Sequence, residues 1–256
     1  MKNLKSNILF LASKSRSRRE LLDFCRIPYK LVEQNADESQ HPDLKLLDLV
    51  QYLAELKMAH VILDQPKQVN NFSNLPVSQK QFSDTQISQE PVTRPAPSLN
   101  SCSQIISQAP IYCWVLTADT LGANSQSEIC RKPVGLADAI QMLKSYRAGA
   151  ITATGYCIER RRWNFNTNSW VLDQRITGVA SASYTFNVPD SCLANYLDAA
   201  FSGISYLDVS GAVEIERYGV QYLGDIQGSY TAIVGLPMYE VRDSLAKLGF
   251  YDGSIT

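Results

Sequence analysis

Two arginines in this sequence stand where they could bind a phosphate group. Arg18 and Arg19 follow a polar loop, Ser13–Ser17, that we place between a short apolar strand and a helix. Cations in the first turn of a helix oppose the positive end of its dipole. A phosphate bound there would satisfy both the arginines and the free backbone N–H groups. The alternative is a pair of solvated arginines, partly neutralised by Glu20.

Two lysines are placed in a similar way. A helix is predicted from about Asp43 to Leu63, and Lys57 falls on its apolar stripe. The apolar positions of that stripe are Leu47, Val50, Ala54 and Val61. A lysine there is costly unless its ammonium reaches water or meets an anion, and spacing alone leaves both possibilities open. Lys132 follows a predicted hairpin and is another cation at a position where a bound anion would be favourable.

Carboxylates follow two predicted strands. Asp119 comes directly after the apolar run Ile111–Thr117, and ligands of open α/β sheets bind beyond such strand ends. An acidic loop after a second strand, Tyr29–Val32, adds Glu33, Asp37 and Glu38. Ligation by oxygen alone favours Mg²⁺ or Mn²⁺ over zinc. Cations for phosphates and carboxylates for a hard metal together predict phosphoanhydride hydrolysis, although each charge taken singly could simply be solvated.

Composition excludes several classes of protein. A chain of 256 residues with 45% hydrophobic and 19% charged residues is typical of a globular protein with a sizeable core. Its net charge of −1 argues against nucleic acid and acidic membranes as partners. No stretch is long enough to span a membrane and none resembles a signal peptide, so we expect a cytoplasmic protein. The six cysteines include no C-x-x-C pair, and the two histidines lack metal-ligand spacing.

Helices and strands mix without strict alternation, which predicts an α/β (mixed α+β) fold with a twisted mixed sheet and flanking helices.

One stretch departs from this: Asp64–Pro110 is rich in Gln, Ser, Asn and Pro and keeps no hydrophobic period. We expect a disordered surface insertion there, its ends close together, within a single domain of residues 1–256. Later elements are predicted as a helix at Leu136–Arg147, strands at Ala150–Arg160 and Trp170–Val188, a helix that Asp190 caps and that runs to about Ala200, a strand at Val220–Ile226 and a helix from Pro237.

The order of these pieces resembles the Maf family of nucleoside triphosphate pyrophosphatases. The matching segments are Leu11-Ala-Ser-Lys-Ser15, Arg18-Arg19-Glu-Leu-Leu, Asp37-Glu38, Leu53-Ala-Glu-Leu-Lys57, Ala118-Asp119-Thr120, Lys132-Pro133, Thr154-Gly155, Ser210-Gly211-Ala212 and Gly228-Ser-Tyr-Thr-Ala-Ile-Val-Gly-Leu-Pro237. The match runs nearly end to end, apart from the Asp64–Pro110 insertion and the hairpin near Trp163.

The resemblance implies an enzyme that cuts a nucleoside triphosphate between its α and β phosphates, with Mg²⁺ or Mn²⁺, in a cleft between two lobes. It also implies a possible homodimer. Asp119 would accept the proton of the attacking water, with Glu38 a metal or catalytic carboxylate beside it, and both would be metal ligands. The residues that would hold the phosphates are Ser13, Arg18, Lys57 and Lys132. Asp37 is a less certain member, and Glu33 is interpreted as a surface charge.

Several positions depart from the family pattern. Arg16 stands where the family usually has proline, and Val213 replaces a more usual aromatic residue. Three positions match those linked to base selection: Ser17, Thr120 and Glu216. Thr120 resembles the branch that prefers thymidine and uridine triphosphates, whereas Glu216 resembles the branch that accepts 7-methylguanosine triphosphate. These signals disagree, so the sequence predicts no particular base.

A second hypothesis is a nucleotide-binding regulator of septum formation with little turnover. Arg16 and Ser17 favour it, because both depart from the family at the phosphate loop. The presence of Asp119, Glu38, Lys57 and Lys132 favours the enzyme, because a decayed enzyme would more often lose one of them. A third hypothesis, a nucleic-acid binder, lacks the positive charge that it needs.

Overall fold

A computed structural model describes residues 7–39, 41–66, 110–201 and 205–252. The strands are β1 (Leu9–Leu11), β2 (Tyr29–Leu31), β3 (Tyr112–Asn124), β4 (Ile129–Cys130), β5 (Ala150–Asn164), β6 (Ser169–Phe186) and β7 (Leu223–Gly228). The α-helices are α1 (Arg16–Phe24), α2 (Leu46–Ala59), α3 (Leu136–Ser145), α4 (Leu193–Ala200), α5 (Tyr230–Val234) and α6 (Met238–Lys247). The predicted α/β class is confirmed.

The strands form one 7-stranded mixed sheet in the order β2-β1-β3-β5-β6-β7, with β4 paired to β3. β1 is parallel to both β2 and β3, whereas β3, β5, β6 and β7 pair with one another in antiparallel fashion. β1 and the middle of β3 are apolar because they are covered on both faces: Leu9, Leu11, Val115 and Leu116 are all fully buried.

Three apolar clusters hold helices against this sheet. One joins Leu143 of α3 and Leu197 of α4 to β6, and a second joins Leu245 of α6 to β1 and β3. A smaller third cluster lies under α2, where Ala54 and Met58 contact β3 and β5. The first two clusters fix the frame of the molecule, and the third sets the position of α2 on the sheet.

Helix α2 approaches β5 closely at Gly155. A Cβ atom there would lie 2.3 Å from the carbonyl oxygen of Val50, so only glycine permits this contact. Gly155 is also the cross-strand partner of Asp119. Lys57, two helical turns beyond Val50, is thereby directed toward the strand that carries Asp119.

The predicted helix Asp43–Leu63 is longer than the observed α2, and its stripe is partly wrong. Leu47 is exposed, and Val61 lies beyond the helix, in an isolated bridge with Gln34. The residues that α2 buries are Leu49, Val50, Leu53, Ala54, Lys57 and Met58. Because leucines occur all round this helix, sequence spacing could not distinguish two adjacent stripes.

Two later elements also differ from prediction. The expected strand Val220–Ile226 begins as a 3₁₀ helix, and β7 covers only Leu223–Gly228. Asp190 was predicted to cap a helix, but its carboxylate instead pairs with Arg147 and Lys144, because both cations of the α3 end lie within reach. A 3₁₀ turn separates Asp190 from α4.

Residues 67–109, which include most of the predicted insertion, lie outside the described residues. Both of its described ends contact the hairpin of β5 and β6. The indole of Trp170 donates to the carbonyl of Asp64 at 2.8 Å, and the backbone of Trp163 donates to Ile111 at 2.9 Å. Within the described ranges, no helix is long and apolar enough to cross a membrane.

Candidate active site

A cleft of about 1960 Å³ opens beyond the carboxyl ends of β1 and β2 and beside the middle of β3. Of the residues predicted for the site, all but Asp37 line it: Ser13, Ser17, Arg18, Glu38, Lys57, Asp119, Thr120, Lys132 and Glu216. The cleft therefore brings together residues that are up to two hundred positions apart in sequence.

Arg18 is held at the start of α1 with its guanidinium turned into the protein. Ser15 caps the helix by accepting the backbone N–H of Arg18. The side chain donates to Gly235 O at 2.7 Å, to Ser13 Oγ at 3.0 Å and to Thr120 Oγ1 at 2.9 Å. These neutral oxygens engage all three nitrogens of the guanidinium, one N–H from each, and its two remaining N–H groups could meet an anion in the cleft.

Burial lowers the pKa of Arg18, while the nearby carboxylates of Asp119 and Glu38 act to raise it. Of Arg18 and Arg19, the two arginines that the sequence places at a phosphate, only Arg18 is buried. Arg19 donates to the carbonyl of Ser15 at 3.4 Å and is only partly buried. Arg16 pairs with Glu20 at 2.8 Å on the surface.

Lys57 joins the two carboxylates predicted to be catalytic. Its Nζ lies 2.5 Å from Asp119 Oδ1 and 3.0 Å from Glu38 Oε2. The lysine is 9% exposed, so of the two possibilities left open by the sequence, contact with an anion is the one observed. The buried ammonium neutralises a carboxylate that is itself only 7% exposed.

The same pair of carboxylates fits a divalent metal. Asp119 Oδ2 is buried and has no hydrogen-bond partner in the described residues, so one oxygen stays free beside the lysine. No group of three or more His, Cys, Asp or Glu side chains gathers anywhere in the described ranges. Two carboxylates suit Mg²⁺ or Mn²⁺, which fill their remaining positions with water and substrate phosphates, and do not suit a structural zinc.

The other acidic residues of the loop have different surroundings. Asp37 accepts the N–H and the hydroxyl of Ser39, at 2.9 and 2.6 Å, and these bonds lower the pKa of Asp37. Its carboxylate shapes the turn that carries Glu38 and does not line the cleft. Glu33 does line the cleft and is exposed, and so is Lys132 on the opposite rim.

A second acidic pair lines another part of the cleft. Burial raises the pKa of Glu216, whereas the hydroxyl of Ser17 acts to lower it, so these two predicted selection residues are neighbours. Glu214 is 5% exposed, and its Oε2 has no partner among the described residues. Burial first, and then the charge of Glu216, raise the pKa of Glu214 to about 7.

Sequence reasoning missed Glu214. The one signal that could have found it is its spacing of two from Glu216, which in an extended segment places both side chains on one face. Thr120, the third predicted selection residue, has its hydroxyl engaged by Arg18 and by Thr154, the latter at 2.8 Å.

Comparison with known proteins identifies the family of this chain. The family model described as "Maf-like protein" matches residues 8–248. A dTTP/UTP pyrophosphatase of Hydrogenovibrio crunogenus is 23% identical over 95% of this chain and 97% of its own length. A nucleoside triphosphate pyrophosphatase of Prochlorococcus marinus is 22% identical over 94% of this chain and 98% of its own. A dTTP/UTP pyrophosphatase of Geobacter sulfurreducens is 29% identical over 53% of this chain and 65% of its own. The chain belongs to the family of Maf-like proteins.

Proposed function

We propose that this protein hydrolyses nucleoside triphosphates between the α and β phosphates, releasing a nucleoside monophosphate and pyrophosphate with Mg²⁺ or Mn²⁺ bound. The observation that carries the proposal is the contact of Lys57 with Asp119 and Glu38, which leaves Asp119 Oδ2 free in a cleft that Arg18 also lines. The full-length relatives named as nucleoside triphosphate or dTTP/UTP pyrophosphatases support it.

The cations divide the work of holding the triphosphate. Arg18 offers the N–H groups that Gly235, Ser13 and Thr120 do not use, and the Ser13 hydroxyl lies beside it. Lys132 stands on the rim, where it can meet the distal phosphates. Lys57 lies at the carboxylates, so a phosphate oxygen that it contacts is also close to Asp119. Positioning of this kind supplies most of the catalysis in phosphoryl transfer.

Asp119 is the proton acceptor in this proposal. Its Oδ1 is held by Lys57, and its buried Oδ2 has no other partner in the described residues, so Oδ2 can take a proton from a water. Asp119 and Glu38 would hold the divalent metal. When bound, that metal lowers the pKa of water and stabilises charge on phosphoryl oxygens. The low exposure of Asp119 keeps bulk water from competing for this proton.

The regulatory alternative retains less support. Arg16, which favoured it, pairs with Glu20 on the surface and leaves the buried phosphate-binding group Arg18 in place. The homodimer, the cytoplasmic location and the absence of nucleic-acid partners stay predictions, as does the single domain of residues 1–256.

The test is pyrophosphate release from a panel of standard and modified nucleoside triphosphates, with Mg²⁺ or Mn²⁺. We expect equal amounts of pyrophosphate and monophosphate, and no turnover after chelation of the metal. Release of inorganic phosphate and nucleoside diphosphate instead would refute cleavage at the α–β bond. Binding without any turnover across the panel would favour the regulatory alternative.

A further inference from the structure

Two adjacent arginines near the end of β5 hold the C-terminal ends of two different helices. Arg160 donates to the carbonyl of Leu248, the residue that caps α6, at 3.1 Å. Arg161 donates to the carbonyl of Met58, in the last turn of α2, also at 3.1 Å. Adjacent strand residues point to opposite faces, which is why the two reach different helices. A cation is favoured at such helix ends, where carbonyls lack partners within the helix.

Arg161 is fixed by a buried carboxylate. Its Nε lies 2.5 Å from Glu159 Oε2, and the other oxygen of Glu159 accepts from Arg175. Glu159 is 2% exposed, and both of its oxygens have partners, so the carboxylate cannot turn away from Arg161. We call Glu159, Arg161 and Arg175 the arginine clamp. Arg160, by contrast, is paired with Asp173 at 2.6 Å on the partly exposed side.

The helix end that the clamp holds positions two residues of the site. Lys57 directly precedes Met58, whose carbonyl Arg161 contacts. Just past the helix, Ile62 donates to the carbonyl of Glu33 at 2.9 Å, at the root of the loop that carries Glu38. A shift of this end would therefore move Lys57 and Glu38 together relative to Asp119. None of the residues that line the cleft belongs to α6, the helix that Arg160 holds.

Other contacts already hold α2 at earlier turns. Thr117 donates to the carbonyl of Ala54 at 2.7 Å, one turn before Met58, and Gly155 contacts Val50 a turn earlier still. The clamp is the third contact of this series, and the carbonyl that it holds belongs to the residue directly after Lys57. Arg161 can therefore be lost without detaching the helix from the sheet.

We propose that Arg161, oriented by Glu159, is a positioning residue that keeps the ammonium of Lys57 between Asp119 and Glu38. This proposal rests on the function proposed above for those three residues. Arg161 touches neither substrate nor reacting atoms, and it acts through the end of α2.

The test compares Arg161→Gln with Arg160→Gln in the full chain, since each removes one guanidinium bound to one helix end. Three quantities are measured: the melting temperature, kcat and KM for the best nucleotide, and the rate at which acetic anhydride labels Lys57, mapped by mass spectrometry. Lys14 and Lys132, both exposed, serve as internal references for labelling. The milder variant Arg161→Lys covers the case in which Arg161→Gln does not fold.

We expect Arg161→Gln to label Lys57 several times faster relative to Lys132 and to lower kcat about tenfold, with Arg161→Lys between it and the wild type. Arg160→Gln should lower the melting temperature less, because its partner Asp173 is partly exposed and the Leu248 carbonyl still accepts from Trp114, and it should leave kcat and Lys57 labelling unchanged. Equal loss of kcat in both variants, or unchanged labelling of Lys57, would overturn the proposal. Because labelling needs no turnover, a wild-type protein that hydrolyses nothing would refute the proposed function without deciding the role of Arg161.

Discussion

The cleft contains two pairs of carboxylates that differ in one respect. Asp119 and Glu38 share the ammonium of Lys57, at 2.5 and 3.0 Å. Glu214 and Glu216 have only a distant cation: the guanidinium of Arg217 lies 3.9 Å from Glu214 and is paired more closely with Glu20, at 2.6 Å. One of the two negative charges of the first pair is therefore balanced before any ligand arrives. In the second pair, burial and mutual repulsion raise the pKa of Glu214 to about 7 instead.

This difference suggests different roles for the two pairs. A carboxylate that accepts a proton or holds a metal acts through its negative charge, and the Lys57 ammonium lies within contact distance of that charge in the first pair. A buried carboxyl without a cation instead takes up a proton, and its free oxygen favours a ligand that brings hydrogen-bond donors. We therefore propose proton transfer for the pair that holds Lys57, and contact with the base for the pair whose nearest cation is distant.

The largest effect should follow loss of the proton acceptor. Asp119→Asn keeps the shape of the side chain but removes its basicity, so we expect kcat to fall by about 10² to 10⁴-fold. Nucleotide binding, measured by calorimetry in the absence of turnover, should be retained because Arg18 is untouched. Turnover at the wild-type rate would remove Asp119 from the mechanism and with it the distinction between the two pairs.

Removing the Lys57 ammonium should leave Asp119 and Glu38 without a close cation, which is the situation of Glu214 and Glu216. In Lys57→Gln we expect kcat/KM to fall by about 10² because a charged contact to the phosphates is lost. Mn²⁺ should bind the nucleotide-free variant about tenfold more tightly, since no ammonium competes for Asp119 and Glu38. Electron paramagnetic resonance of free Mn²⁺ measures this affinity. Lys132→Gln is the matched control, and an equal gain in that variant would contradict the role of direct contact.

A smaller effect is expected at the second pair. Glu216→Gln replaces a group that only accepts hydrogen bonds with one that both donates and accepts. Relative kcat/KM should then shift by about tenfold toward bases that present carbonyl oxygens, such as uracil, and away from bases rich in N–H donors. Competition assays with paired nucleotides measure this ratio. An unchanged ratio would place the base elsewhere in the cleft.

The smallest effect on activity is expected for Glu214, where the change should appear in stability. Burial raises the pKa of Glu214 from its ordinary 4.5 to about 7 in the folded protein, so the folded state retains a proton over that interval and stability falls as pH rises through it. Glu214→Gln should remove this dependence, on the order of 1–3 kcal/mol, and be more stable than the wild type at pH 8. Urea denaturation at pH 5 and pH 8 tests it. A wild-type stability that does not change between these values would contradict the burial effect.

The parts of the site that could be predicted are those whose sequence neighbours carry the signal. Asp119 ends an apolar run, and Lys57 interrupts an apolar stripe, so local pattern alone pointed to both. Their contact could not be predicted, because it depends on how closely α2 approaches β5 at Gly155. That distance is set by the absence of a side chain on a strand far from the helix in sequence.

The features that were predicted wrongly or not predicted share one cause: each of them depends on tertiary contacts. Asp190 is predicted to cap a helix from its position alone, but its carboxylate pairs with Arg147 and Lys144 instead. The local signal at Glu214, its spacing of two from Glu216, is weak, because an acidic residue in a mixed segment is usually solvated. Only the fold buries it, under a loop that no periodicity describes. The two pairs of carboxylates are indistinguishable in sequence and become distinct when Lys57 is placed beside one of them.

The β5–β6 hairpin, which carries Trp163 and Trp170, marks a point at which another protein segment can be inserted into the chain. Asp64 and Ile111 both contact the hairpin where β3 begins, and Asp119 lies seven residues further along that strand, about 23 Å away. Chain added or removed between residues 67 and 109 changes a loop-closure entropy that grows only slowly with length. A reporter or an affinity module inserted between Asp64 and Ile111 would thus lie about 23 Å along β3 from Asp119.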